Sequence, residues 1–175
     1  MNLTEVKEKQ IRDRVLATLP AELSLHKLAF FHSRDNMRIV VELDKPSDKY
    51  GSVNIGECEN YSRALRDNLD ELEKTTAINL NYSLEVSSAG AERELATIEE
   101  VRRFMALPLQ ASYESAGKVL TEVLQVLEIE GEKMECRLAD CKANRKKFGP
   151  AKLRKQTPFH IEWREIKKIR LHLDI

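Results

Sequence analysis

The chain changes character within NYSLEVSSAGAEREL, residues 81–95. Tyr82, Leu84 and Val86 alternate with Ser83 and Glu85, the period of a strand buried on one face. That strand runs directly into small and polar residues around Gly90. Beyond the loop, Thr97 and Glu100 have capping-box spacing and open a short helix with Ile98, Val101, Phe104 and Met105 inside. Before this stretch helices alternate with strands; after it the pattern is almost entirely strands.

Working upstream, LTEVKEKQIRDRVLATL sets Leu3, Val6, Ile11, Val15 and Leu19 near one side of a helix that Pro20 stops. Two strand-like runs follow, LSLHKLAFFHS and MRIVVELDK, and the turn-prone Arg34, Asp35 and Asn36 between them predict a hairpin. After a polar loop at residues 46–51, Asn54 and Glu57 repeat the capping spacing. Ile55, Cys58, Tyr61, Leu65, Leu69 and Leu72 then form the apolar stripe of a second helix.

Downstream of Leu107 lie PLQASYES, KVLTEVLQVLEIEG, EKMECRLADC, FHIEWREI and KKIRLHLDI, with turns at Ser115-Ala116-Gly117 and Glu130-Gly131-Glu132. KVLTEVLQVL also admits a helix. Five short strands in succession predict a small barrel, which removes exposed sheet edges, with Trp163 in its core. The expected fold class is α+β: an N-terminal domain of helices and a small sheet over residues 1–107, then an all-β domain over residues 108–175.

With 175 residues, 42% apolar and 33% charged, the chain can bury a core and is not a disordered polymer. No apolar run reaches the roughly 20 residues of a membrane helix, and the polar start lacks a secretory signal, so a cytoplasmic protein with no membrane partner is expected. Cys58, Cys136 and Cys141 are too few and too scattered for a disulfide framework and read as reduced thiols, Cys58 in the core. No coiled-coil seam is visible, which favours a monomer.

A formal net charge of zero conceals a separation. From Lys142 onward eleven Lys and Arg face three acids, a net +8, so residues 1–141 carry −8. The densest part, KANRKKFGPAKLRK, holds Lys142, Arg145, Lys146, Lys147, Lys152, Arg154 and Lys155 with no acid and one aromatic, Phe148. Gly149-Pro150 argues for a loop rather than one continuous helix, its cations fanned toward a phosphate backbone. Phe148 has two readings, a stacking surface for an unpaired base or a loop anchor.

Catalysis and metal binding find little support. Ser87 and Ser88 lack the glycines of a nucleophile elbow, and spacing joins no histidine to them, so a hydrolase is disfavoured. Cys136, Cys141, His160 and His172 lack paired ligand spacing, and residues five apart on one strand face opposite ways. No metal, cofactor or catalytic residue is therefore expected. SSAGAER, with Gly90 and Arg93, is read either as a structural turn or as an anion nest.

YSLEVSSAGAEREL, VNIGECENYSRALRDNLDEL and MRIVVELDKP together resemble the bacterial ribosome maturation factor RimP family over about residues 20–107. Ser87, Ser88, Gly90 and Arg93 keep the family's signature-loop pattern, whereas Ala89 and Glu94 replace its prolines. The resemblance implies that the C-terminal domain is an SH3-like (Sm-like) barrel, and that the protein is not an enzyme. It implies binding to the free small ribosomal subunit during maturation, with contacts to ribosomal RNA and to a ribosomal protein near the decoding centre. A general RNA-binding module without ribosomal specificity is the alternative.

Overall fold

A computed structural model describes residues 1–90 and 93–173. Ala91 and Glu92 of the loop, and Asp174 and Ile175 of the expected last strand, lie outside the described residues. The chain forms two compact units, residues 1–90 and 91–175. Among the described residues no helix is long and apolar enough to cross a membrane.

In the first unit, α1 (Leu3–Thr18) starts at a capping box in which the Asn2 side chain accepts from the Glu5 amide and Glu5 accepts from the Asn2 amide. Ile11 and Val15 are buried, whereas Leu3 is 65% exposed, so the buried stripe is shorter than its spacing suggests. Strands β1 (Ser24–His32) and β2 (Met37–Asp44) form the expected antiparallel hairpin. Helix α2 (Ile55–Thr76) then crosses over to β3 (Tyr82–Ser88), which pairs parallel with β2. The sheet order is β1-β2-β3.

The Asn54/Glu57 capping box of α2 forms as its spacing predicts. Tyr61, Leu65, Leu69 and Leu72 are buried, Cys58 packs partly buried against the same core, and Ile55 in the first turn is exposed. Met37, Ile39, Val41 and Leu43, alternating along β2, join α1 and α2 in one core. Tyr61 seals it, its hydroxyl donating to the Val15 carbonyl at 2.7 Å.

The second unit opens with residues 93–95, which run antiparallel beside the last strand: the Leu95 amide donates to the Ile169 carbonyl and the Leu171 amide to the Arg93 carbonyl. Helix α3 (Ile98–Phe104) follows, capped by Thr97 as its spacing predicts and burying Val101 and Phe104. Hydrogen bonds from Arg102 to the Ile129 carbonyl and from Gln125 to the Met105 carbonyl tie it to the sheet. These ties place α3 in the second unit, although the sequence pattern grouped it with residues 1–107.

The second sheet contains β4 (Leu109–Ser115), β5 (Lys118–Glu130), β6 (Lys133–Leu138), β7 (Phe159–Glu162) and β8 (Ile166–Leu171), in the order β7-β6-β5-β4-β8. KVLTEVLQVL is strand, within the 13-residue β5. The first half of β5 pairs with β4, the second with β6, and a register shift falls between Val126 and Glu128. The protein is thus mixed α+β with two sheets. Trp163 does not continue β7; it opens a 3-10 turn, Trp163–Glu165, and is half-buried rather than core.

Candidate nucleic-acid interface

The basic stretch is helical on both sides of its break. Helix α4 (Lys142–Phe148) and helix α5 (Pro150–Lys155) meet at Gly149, whose φ of 83° carries the chain through a conformation that side chains disfavour. Pro150 occupies the first turn of α5, where its missing amide hydrogen costs nothing. The expected loop is therefore two short helices. Arg145, Lys146 and Lys147 sit in the last turn of α4, and Lys152, Arg154 and Lys155 in that of α5, favourable placements beside the negative helix ends.

Buried groups hold these helices to the sheet. The Asn144 side-chain amide donates to the Val123 carbonyl at 2.7 Å and the Ala139 carbonyl at 2.9 Å, and is 3% exposed. Leu153 is buried beneath α5. Gln156 fixes the exit: Nε2 donates to the carbonyls of Leu138 and Leu153, each at 2.9 Å, while Oε1 accepts from the Leu138 amide at 2.7 Å. Lys142, Arg145, Lys146, Lys147, Lys152, Arg154 and Lys155 are all exposed on this fixed platform. Phe148 is half-buried, with the Lys147 and Lys152 ammoniums each 4.9 Å from its ring centre.

Sequence reasoning missed Arg137 and Asp140. Arg137, exposed on β6 opposite the buried Met134 and Cys136, borders the same cleft as Arg145 and Arg154. Arg145 Nε donates to Asp140 at 2.6 Å. That hydrogen bond, then the charges of Arg145, Arg154 and Arg137, holds the Asp140 carboxyl below its ordinary value. The strand alternation in EKMECRL was the available signal for Arg137.

The signature loop is assembled differently. Ser88 Oγ accepts from the Val53 amide at 3.0 Å and from the Gly90 amide at 3.2 Å. The Ala89 amide donates to the Leu43 carbonyl at 2.8 Å. The amides of residues 89 and 90 thus hold the loop together, which favours the structural-turn reading over an anion nest. Ser87 borders a groove beside α2. Arg93 belongs to the second unit, where it is 5% exposed with its guanidinium 4.5 Å from the Phe104 ring centre.

Cys136 lies on β6 and Cys141 precedes α4, both buried, so the expectation that they face opposite sides of one strand does not describe them. Burial pushes the Cys136 thiol up to about 12, away from the thiolate that a nucleophile requires. No cluster of three or more potential metal ligands occurs among the described residues.

Fold and surface define a two-unit α+β protein whose second unit displays a cationic platform of two anchored short helices. A sequence model of the RimP N-terminal domain matches residues 14–92. A ribosome maturation factor RimP from Leptospira biflexa serovar Patoc is 33% identical over 170 residues, which is 96% of this chain and 98% of that protein. A ribosome maturation factor RimP from Leptospira interrogans is 33% identical over 110 residues, 63% of this chain and 65% of its own. The chain belongs to the RimP family.

Proposed function

We propose that the protein is a non-enzymatic ribosome maturation factor of the cytoplasm that binds the free small ribosomal subunit and assists its assembly. Family membership supports the maturation role. The observation that carries the RNA contact is the α4–α5 platform, seven cations on helices pinned by Asn144, Leu153 and Gln156. Because the helix backbones are already ordered, meeting a phosphate backbone costs side-chain freedom but little further backbone entropy. The net −8 of residues 1–141 suits a basic ribosomal protein near the decoding centre, and complementary fields make such association fast and salt-sensitive.

The same reading takes the second sheet as a small SH3-like barrel. Strands β7 and β8 stand at opposite ends of the sheet order but are joined only by Trp163–Glu165. In a flat five-stranded sheet they would lie about 19 Å apart at ordinary strand spacing. The four residue steps from Glu162 to Ile166 span at most about 14 Å even when extended, so the sheet has to curl.

The test is charge reversal. Lys146, Lys147, Arg154 and Lys155 replaced together by Glu should abolish co-sedimentation with free small subunits at moderate salt while circular dichroism stays unchanged. Retained binding by a folded variant would remove the platform from the RNA contact.

A further inference from the structure

Arginines from three elements open onto one cleft of about 600 Å³: Arg137 from β6, Arg145 from α4 and Arg154 from α5. Gln156, hydrogen-bonded at both ends to Leu138 and also to Leu153, fixes the wall between β6 and α5. Asn144 fixes α4. The guanidiniums are therefore anchored at their roots but exposed at their tips. Asp140 is the cleft's one acid among its described lining residues, so the four charged groups sum to +2.

Asp140 is already held as an anion would be. Arg145 Nε donates to its carboxylate at 2.6 Å, and the carboxylate is 67% exposed, open to exchange with water or another anion. A pair this exposed is weak, since both partners remain well solvated. A phosphodiester offers a guanidinium fork two oxygens, as a carboxylate does, and its binding also releases counterions. Lysines attract phosphate as point charges without fixing its orientation, whereas the forks of arginines define a position.

We propose that the Arg137–Arg145–Arg154 cleft is a phosphodiester-binding site for RNA, in which a backbone phosphate takes the place of Asp140 on Arg145. This rests on the platform's reading as an RNA contact and deepens it. It adds Arg137, which stands outside the basic stretch, and an internal competitor, Asp140. The lysines provide diffuse attraction; the cleft sets the register of the bound strand.

The experiment is fluorescence anisotropy of a labelled RNA hairpin with the full chain across a salt series. Arg137→Ala should weaken binding and lower the slope of log affinity against log salt by about one, the loss of one phosphate contact. Arg137→Lys should restore the slope but only part of the affinity. Asp140→Asn should tighten binding several-fold. An unchanged affinity and slope for Arg137→Ala, or no tightening for Asp140→Asn, would overturn the proposal. If wild type binds and Lys146→Ala with Lys155→Ala weakens it while Arg137→Ala does not, the cleft alone falls. If wild type binds neither hairpin nor small subunits, the functional reading falls with it.

Discussion

The side-chain amide of Asn144 reaches from α4 to the Val123 carbonyl of β5, 21 residues earlier, at 2.7 Å. This contact, shared with the Ala139 carbonyl, anchors α4, as Leu153 and Gln156 anchor α5. Asn144→Ala removes this buried donor while each carbonyl keeps a backbone amide, Ala139 on Val123 and Cys141 on Ala139, so the cost is that of the lost hydrogen bonds, about 0.5–1.5 kcal/mol each. Chemical denaturation should show that loss, and RNA affinity should fall although no cation has been removed. Unchanged stability would mean that α4 is held by other means.

Lys45 and Glu57 provide a pH signature in the first unit. Lys45 Nζ lies 2.6 Å from Glu57 Oε1, while Glu57 Oε2 caps α2 through the Asn54 amide. The Lys45 hydrogen bond, then the Asn54 amide, holds the Glu57 carboxyl below its ordinary value, and Glu57 in turn raises Lys45. The contribution of Glu57 is therefore present above the ordinary carboxylate value and lost as pH falls through its depressed folded value. That of Lys45 is present below the ordinary lysine value and lost as pH rises through its raised one. Glu57→Gln, which retains an oxygen for the cap, should flatten the acid limb of stability against pH. An acid limb identical to wild type would show that the pair carries none of it.

Gly90 sits at φ +80° with nothing within 4 Å of where a Cβ would stand. Gly90→Ala should therefore destabilise through backbone strain alone, by about 1–2 kcal/mol. Ser88→Ala removes the acceptor for the Val53 and Gly90 amides and should act on the same loop. Because the Ser88 hydroxyl accepts from the Gly90 amide, the effects of the two changes should not add. Strict additivity in a double-mutant cycle would separate the turn from the hydroxyl.

The first unit was largely legible in the sequence because its signals are local. Asn54 and Glu57 cap α2 within one turn, the β2 alternation spans eight residues, and Arg34–Asn36 can only turn. Burial at the ends was not legible: Leu3 and Ile55 fit their stripes but stand beyond the packed faces. Helices α4 and α5, of seven and six residues, are too short for periodicity to register, and they are stabilised through Asn144 and Gln156 by partners 21 and 18 residues away. The signature loop likewise closes through Ser88 onto Val53, 35 residues earlier. Its residue types were visible, but their hydrogen-bond partners were not. Arg137 was overlooked because it precedes the dense basic run, and only folding brings β6 beside α5.

Co-sedimentation of the purified protein with free small subunits, free large subunits and joined ribosomes, at low and moderate salt, tests the central claim most directly. The account predicts binding to free small subunits that persists at moderate salt and is absent from the other two. Equal binding to all three, vanishing together as salt rises, would contradict it and reduce the platform to a cationic surface without ribosomal specificity.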